Sequence, residues 1–371
     1  MPLLVFFIFL LVLASGVLVF LIRGHIAASS VPNTEQGVIA QGGFSCEYSE
    51  AQKLYPFSNG VLKVTSSRIS YLSMSGTEVY GVDIAMDNPF CVIRDEYALV
   101  ADSGGFFSVL LNNTGVIYQR QMDGAIRYAT VSPNGYAAYI LDKTDTKGSV
   151  YLVDPTAKFI SEWQSVESGY PISLSFSPSE DLLNIALVDT DGSAMQPHLK
   201  QLSLKQGADG TVTTKDFALY TPNSSEVLSV ISYVGQDTTV LAGISDIESF
   251  SNGSVKKISQ SYGQILSIFH DNSGKTFVVF SDGVGQEIRL EALDESLVRG
   301  NSIALGSTFV DASVLNNRII VAVDQKVLVI NSSTLTVERT IEMDQSILRV
   351  SFSSDGNLII VSADGVRSIG L

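Results

Sequence analysis

Hydrophobic and polar positions follow two regimes along this chain. From Leu3 to Ile22 the run LLVFFIFLLVLASGVLVFLI is apolar, broken only by Ser15 and Gly16. At about 1.5 Å per residue such a run makes a helix about 30 Å long, the hydrocarbon thickness of a bilayer. Residues 24–43 lose any apolar period and draw on Gly, Ala, Ser, Pro, Asn, Thr and Gln, the composition of a flexible tether. After residue 44 no segment sustains a 3.6-residue period. What recurs is a short β-rich run, a polar turn and a second β-rich run.

The clearest copy is Ile126 to Ile140, IRYATVSPNGYAAYI, with Ser132-Pro133-Asn134-Gly135 as the turn. Others are Leu348 to Val361, Ile172 to Leu187 and Ile265 to Phe280, and weaker copies surround Asn59, Asp95, Gln236 and Asn316. Asn-Gly and Asp-Gly accept the positive φ of tight hairpins, and Pro presets the first turn position. One central turn residue per copy (Asn59, Asp95, Asn134, Ser179, Gln236, Ser273, Asn316, Asp355) gives spacings of 36 to 57 residues. Periods near 40–50 residues with several strands each are the mark of propeller blades.

Each period holds further strands, such as Val150–Val153 with Phe159-Ile160, and Val327–Ile330 with Val337. The long spacing contains His198 to Lys215, expected to form an extended hairpin on blade four. After the last turn only two runs remain, Leu358–Val361 and Val366–Ile369. The final blade therefore lacks an outer strand, which the segment around Phe44–Tyr48 can supply, closing the ring and hiding the exposed edge. The pattern predicts an all-β fold: one β-propeller of about eight four-stranded blades, seven being the alternative, preceded by one transmembrane helix. The divisions are an anchor at 1–23, a linker at 24–43 and the propeller at 44–371.

The apolar run is longer than the core of a secretory signal and lacks a basic start, so it reads as an uncleaved signal anchor. Ala27-Ala28-Ser29 offers a processing site, and no cysteine in or just after the run permits a lipoprotein anchor. Arg23, with His25 close by, would by the positive-inside rule hold the propeller in the cytoplasm. Single spans preceded by almost nothing usually send a long C-terminal domain across. The expected location is the plasma membrane, single-pass, with the propeller extracytoplasmic.

Charge narrows the partners. There are 38 Asp and Glu against 23 Lys and Arg, and of these only Arg23 precedes residue 35. So acidic a surface repels phosphate backbones and anionic headgroups, which argues against nucleic acid and leaves membrane contact to the anchor. The two cysteines, Cys46 and Cys91, are read as buried thiols, with one disulfide as the alternative.

No constellation of residues declares a chemistry. The three histidines are His25, His198 and His270, and no G-x-S-x-G element accompanies them. Asp189-Thr190-Asp191-Gly192 is the best metal fragment, yet the later acid of an EF-hand-like loop is missing, so an Asp-Gly turn is the simpler reading. Asp142 and Asp145 bracket a hairpin in the same way. Sequons begin at Asn112, Asn223, Asn252 and Asn331, as Ser- and Asn-rich β sequence readily produces. No catalytic, cofactor-binding or metal residue is assigned.

The S-P-N-G turn at 132–135 and the S-S-D-G turn at 353–356, set between apolar strands, resemble those of the bacterial YVTN/WD-like and quinoprotein-like propeller superfamilies. With an N-terminal anchor and an acidic propeller, the whole is similar to membrane-anchored Clostridia-type propeller proteins known only by a domain-of-unknown-function name. The resemblance implies a fold and an envelope location and carries over no catalytic residue. The WD dipeptide is absent and the only Trp is Trp163, so the Trp-docking pattern of quinone enzymes is missing too. The function expected is a non-catalytic envelope scaffold for protein–protein interaction, marked by an apolar patch on one loop face. The alternative, a glycan-binding or glycan-processing enzyme, needs paired carboxylates on inner strands such as ISLSF and LRVSF, which are acid-free.

Overall fold

Short runs of Val, Ile, Leu, Tyr and Phe between Gly, Asn and Asp turns fold as antiparallel meanders. The computed structural model describes residues 40–371 apart from 208–210, 252, 259, 272, 284 and 295. It holds eight four-stranded sheets arranged as the blades of one propeller. Blades 1 to 7 span Leu54–Asp83, Pro89–Gln121, Ala125–Ser165, Tyr170–Tyr220, Val230–Lys257, Gln264–Gly306 and Asp311–Glu342. All eight turn positions singled out from the sequence lie between the first and second strands of a blade.

Blade 8 is built from both ends of the described chain. Its first three strands are Ile347–Phe352, Leu358–Ser362 and Gly365–Ile369, and its fourth is Ala40–Ser45. The fourth pairs antiparallel with the third, Ala40 opposite Ile369 and Ser45 opposite Gly365. The closing strand thus begins at Ala40, inside the stretch read as linker. Gln41-Gly42-Gly43 has no apolar pattern of its own, and backbone pairing with a waiting edge makes it a strand. The run Leu3–Ile22 lies outside the described residues. Among the described residues no helix is long and apolar enough to cross a membrane.

Second and third strands are sandwiched between neighbouring blades, so they are buried on both faces and nearly continuous in apolar residues. Thr276–Ser281 is buried at every position, whereas the outer strand Ser254–Lys257 is exposed at every position. Eight hydrophobic clusters occupy the eight junctions between blades. The junction of blades 2 and 3 buries twelve apolar side chains, among them Leu99, Leu110, Tyr139 and Leu141. That of blades 4 and 5 buries four: Leu199, Leu228, Leu241 and Phe250. Here the longest blade, whose strands Gln196–Gln206 and Val212–Tyr220 enclose the stretch His198 to Lys215 read as a hairpin, meets the shortest. Cys46 and Cys91 are both free and pack in separate clusters.

Candidate interaction face

A four-stranded meander divides its connections between two faces. The turns joining first to second and third to fourth strands lie on one side of the ring. The turns joining second to third strands, and the links between blades, lie on the other, here called the crossover face. Ala40 pairs with Ile369 at the end of a third strand, so residues 1–39 join the propeller on the first side, the attachment face.

Exposed large apolar side chains are not shared evenly between these faces. Val166, Tyr170, Met195, Leu219, Val230 and Ile244 are 41% to 69% exposed, and all sit in or beside crossover-face connections of blades 3 to 5. On the attachment face such residues come one to a blade, as Val79, Val116, Phe159, Val255 and Val298 do, whereas these six crowd into three blades. Scattered exposed apolar residues are ordinary, while a run of them over adjacent blades marks an interaction surface.

The loops under this arc are fastened to one another. Lys147 of blade 3 pairs with Asp191 of blade 4 at 2.5 Å, and its ammonium lies 5.8 Å from the Tyr170 ring centroid. Its hydrogen bond to the Asp191 carboxylate raises the Lys147 ammonium above its usual pKa. The Ser245 N–H donates to Glu226 at 3.0 Å, tying the link between blades 4 and 5 to the turn that carries Ile244. Beneath, Asn223 N–H donates to Glu248 at 2.9 Å, and Asp246 holds Lys257 at 2.6 Å. Burial raises the Glu248 carboxyl, against the lowering effect of the Asn223 and Ser224 backbone N–H groups.

The crossover face is also acidic, and every blade or the link following it contributes a carboxylate, from Asp87 after blade 1 to Asp364 in blade 8. The three lysines in these connections, Lys53, Lys143 and Lys147, each pair with carboxylates. Among the described residues no ion pair neutralises Asp145 or Glu167 beside the arc. On the attachment face Asp154, Asp271 and Asp294 each accept backbone N–H groups within their own turns.

The residues weighed from the sequence fall elsewhere in the fold. His25 and Asn252 lie outside the described residues. His198 meets the Thr221 hydroxyl at 3.1 Å. His270 ends the inner strand of blade 6, its Nε2 2.7 Å from Ser232 Oγ of blade 5 and its Nδ1 2.9 Å from Thr276 Oγ1. Burial pushes its pKa down to about 4, and a hydroxyl rather than a carboxylate stands behind the ring. A neutral imidazole without a charged orienting partner links two blades here, and lacks what a nucleophile's base requires. Asp189 accepts the N–H of Asp191 at 2.9 Å, which makes the Asp-Thr-Asp-Gly segment a turn. Among the described residues no group of His, Cys, Asp and Glu has the spacing of a metal site. Asp142 pairs with Arg127 at 2.6 Å.

The eight inner strands carry one acid, Asp311, which corrects the expectation of acid-free inner strands. Its carboxylate accepts the N–H groups of Ala312 and Val350 at 2.9 and 3.0 Å, joining blades 7 and 8. One carboxylate so engaged does not form the pair that glycoside hydrolysis uses.

Residues 36–371 match the model of DUF5711, a family of unknown function. The chain belongs to that family. No curated protein matches it by sequence. Among solved structures, this DUF5711 propeller is similar to BamB from Moraxella catarrhalis, with a TM-score of 0.53 and 12% identity over 90% of this chain and 99% of that one. It is also similar to apo AztD from Citrobacter koseri, with a TM-score of 0.56 and 13% identity over 79% and 86% of the two chains. At such identities the likeness establishes the fold of this DUF5711 member and nothing finer.

Proposed function

We propose that this protein is a non-catalytic scaffold of the cell envelope, tethered by residues 3–22 in the plasma membrane, that binds a protein partner on its crossover face. The observation that carries this reading is the arc of exposed apolar residues over blades 3 to 5. Soluble surfaces rarely keep such a run uncovered without a use for it. The attachment geometry fits the same reading. Residues 1–39 join the opposite face of blade 8, so an anchor in that segment turns the arc away from the bilayer. The paired carboxylates that a glycan-processing reading requires are missing from the inner strands.

The test is site-specific photo-crosslinking in cells producing the full chain. A photoreactive residue in place of Ile244, on the crossover face, is expected to give a discrete adduct with another protein. The same residue in place of Val298, on the attachment face, is expected to give none. Adducts from Val298 alone, or from neither position, would sink the proposal.

A further inference from the structure

The arc also carries information about what covers it. The six apolar side chains lie within an acidic surround: Asp145 and Glu167 are unpaired among the described residues, and Asp189, Asp191 and Glu226 stand close by in the same connections. Every lysine in the crossover connections is already engaged by a carboxylate. Any covering group must therefore bury apolar surface and tolerate uncompensated negative charge. A second copy of this chain would bring the same acidic face against itself, and like charges juxtaposed at an interface repel. An anionic lipid surface is excluded on the same ground.

Resting on the proposed reading of this face, we infer that the partner docks through a cationic amphipathic segment. Its apolar stripe covers Val166, Met195 and Ile244, and its Lys or Arg residues meet Asp145, Glu167 and Glu226. Amphipathic helices laid on apolar surfaces use side chains spaced three and four residues apart, and their charged flanks set orientation and on-rate. The loops that would receive the segment are pre-fastened by the Lys147–Asp191 pair and by the Glu226 bonds to Ser245, so little ordering is left for the moment of binding.

The test uses the full chain in phosphatidylcholine nanodiscs, whose neutral headgroups give a basic peptide no charged surface to adsorb on. Two fluorescent amphipathic peptides of about 18 residues, about 27 Å as helices, are titrated: one of Leu and Lys, one of Leu and Glu. The Leu/Lys peptide is expected to bind, with affinity falling as salt rises from about 0.05 to about 0.5 M, and the Leu/Glu peptide is expected not to. Met195→Asp and Ile244→Asp are each expected to weaken binding about tenfold, and Val298→Asp on the attachment face is expected to leave it unchanged. The double variant Asp145→Lys/Glu167→Lys is expected to weaken binding mainly at low salt. All these sites are exposed, and unchanged urea midpoints confirm that the variants fold. Equal binding of both peptides, or Leu/Lys binding indifferent to Met195→Asp and Ile244→Asp, overturns the inference. If the Ile244 photo-adduct forms while the peptides do not discriminate, the face binds protein of another chemistry and only this inference fails. If the adduct also fails to form, the scaffold reading falls with it.

Discussion

Gly365 is where the ring-closing strand presses hardest on its partner, and it permits a quantitative test of closure. A Cβ added there would lie 2.2 Å from the Phe44 carbonyl oxygen and 2.9 Å from Ser45 Cα. Ordinary non-bonded contact needs about 3.5 Å, so Gly365→Ala forces the two strands apart by about 1 Å. That displacement stretches ladder hydrogen bonds past their working range, at the end of a ladder with only five register pairs. Losing two of them costs about 2 kcal/mol net. Gly365 also has φ +148°, which L side chains rarely adopt, adding about 1–3 kcal/mol. The expected destabilisation is about 3–5 kcal/mol. Gly104 is the control, with φ +80° and nothing within 4 Å of its would-be Cβ. Gly104→Ala carries only the backbone term, about 1 kcal/mol. Urea denaturation of the full chain measures the difference between the variants, expected to be at least about 2 kcal/mol. Native-state hydrogen exchange then locates it: amides of Ala40–Ser45 and Gly365–Ile369 should lose protection in Gly365→Ala and keep it in Gly104→Ala. Equal losses in the two variants, or a loss in Gly365→Ala without faster exchange in these strands, would refute the closure argument.

Two further outcomes follow from the fold and from the proposed topology. His270 is held neutral, its pKa down from 6.5 to about 4. The unfolded chain therefore binds the extra proton between those values, and stability from this group is complete above pH 6.5 and lost as pH falls toward 4. Between pH 7 and pH 5 the wild type should lose about 2 kcal/mol more than His270→Gln in urea titrations, and parallel losses would contradict the burial argument. For topology, protease added outside wall-stripped cells should remove a tag fused after Leu371 while a cytoplasmic control survives. A tag protected in intact cells but cut after permeabilisation would place the propeller in the cytoplasm, as Arg23 alone suggests.

Much of the fold was legible because its punctuation is chemical. Asn59, Asp95, Asn134, Asn316 and Asp355 mark tight hairpins through residues that accept turn geometry, and Asp95 and Asn316 adopt positive φ. Strand counting after Asp355 exposed the missing outer strand and so the closure. The start of that strand was not legible, since Gln41-Gly42-Gly43 becomes β only by pairing with residues more than three hundred positions away. The arc was hidden for a related reason. Val166, Met195 and Ile244 are single apolar residues inside polar turns, each unremarkable alone. Only the meander's division of its connections between two faces gathers them. The signal was available in principle, because each lies in a link between blades or between second and third strands. The Ser232–His270 contact had no local trace, as its partners belong to different blades.

The position of the arc follows from the ring itself. In an eight-bladed propeller the junction of blades 4 and 5 lies opposite the junction of blades 8 and 1, where the closing strand enters. The arc is centred beside the former, on the face away from residues 1–39, and so occupies the part of the molecule farthest from the attachment point both across the ring and through its thickness. The same junction has the smallest apolar core. Polar groups take the place of apolar burial there: Gln201 Nε2 donates to Asn184 Oδ1 at 2.7 Å, and Asn184 Nδ2 donates to the Tyr233 hydroxyl. Hydrogen-bonded polar groups stabilise less per residue than apolar packing but fix register more narrowly. A closed ring tolerates such a junction, because the neighbouring blades are clamped by the other seven interfaces and cannot drift apart. Apolar side chains spared from the core at this seam, Leu219, Val230 and Ile244, are thereby left at the surface without loss of the fold. Closure at blade 8 is thus what lets the junction of blades 4 and 5 rest on fewer buried apolar residues than the other seven.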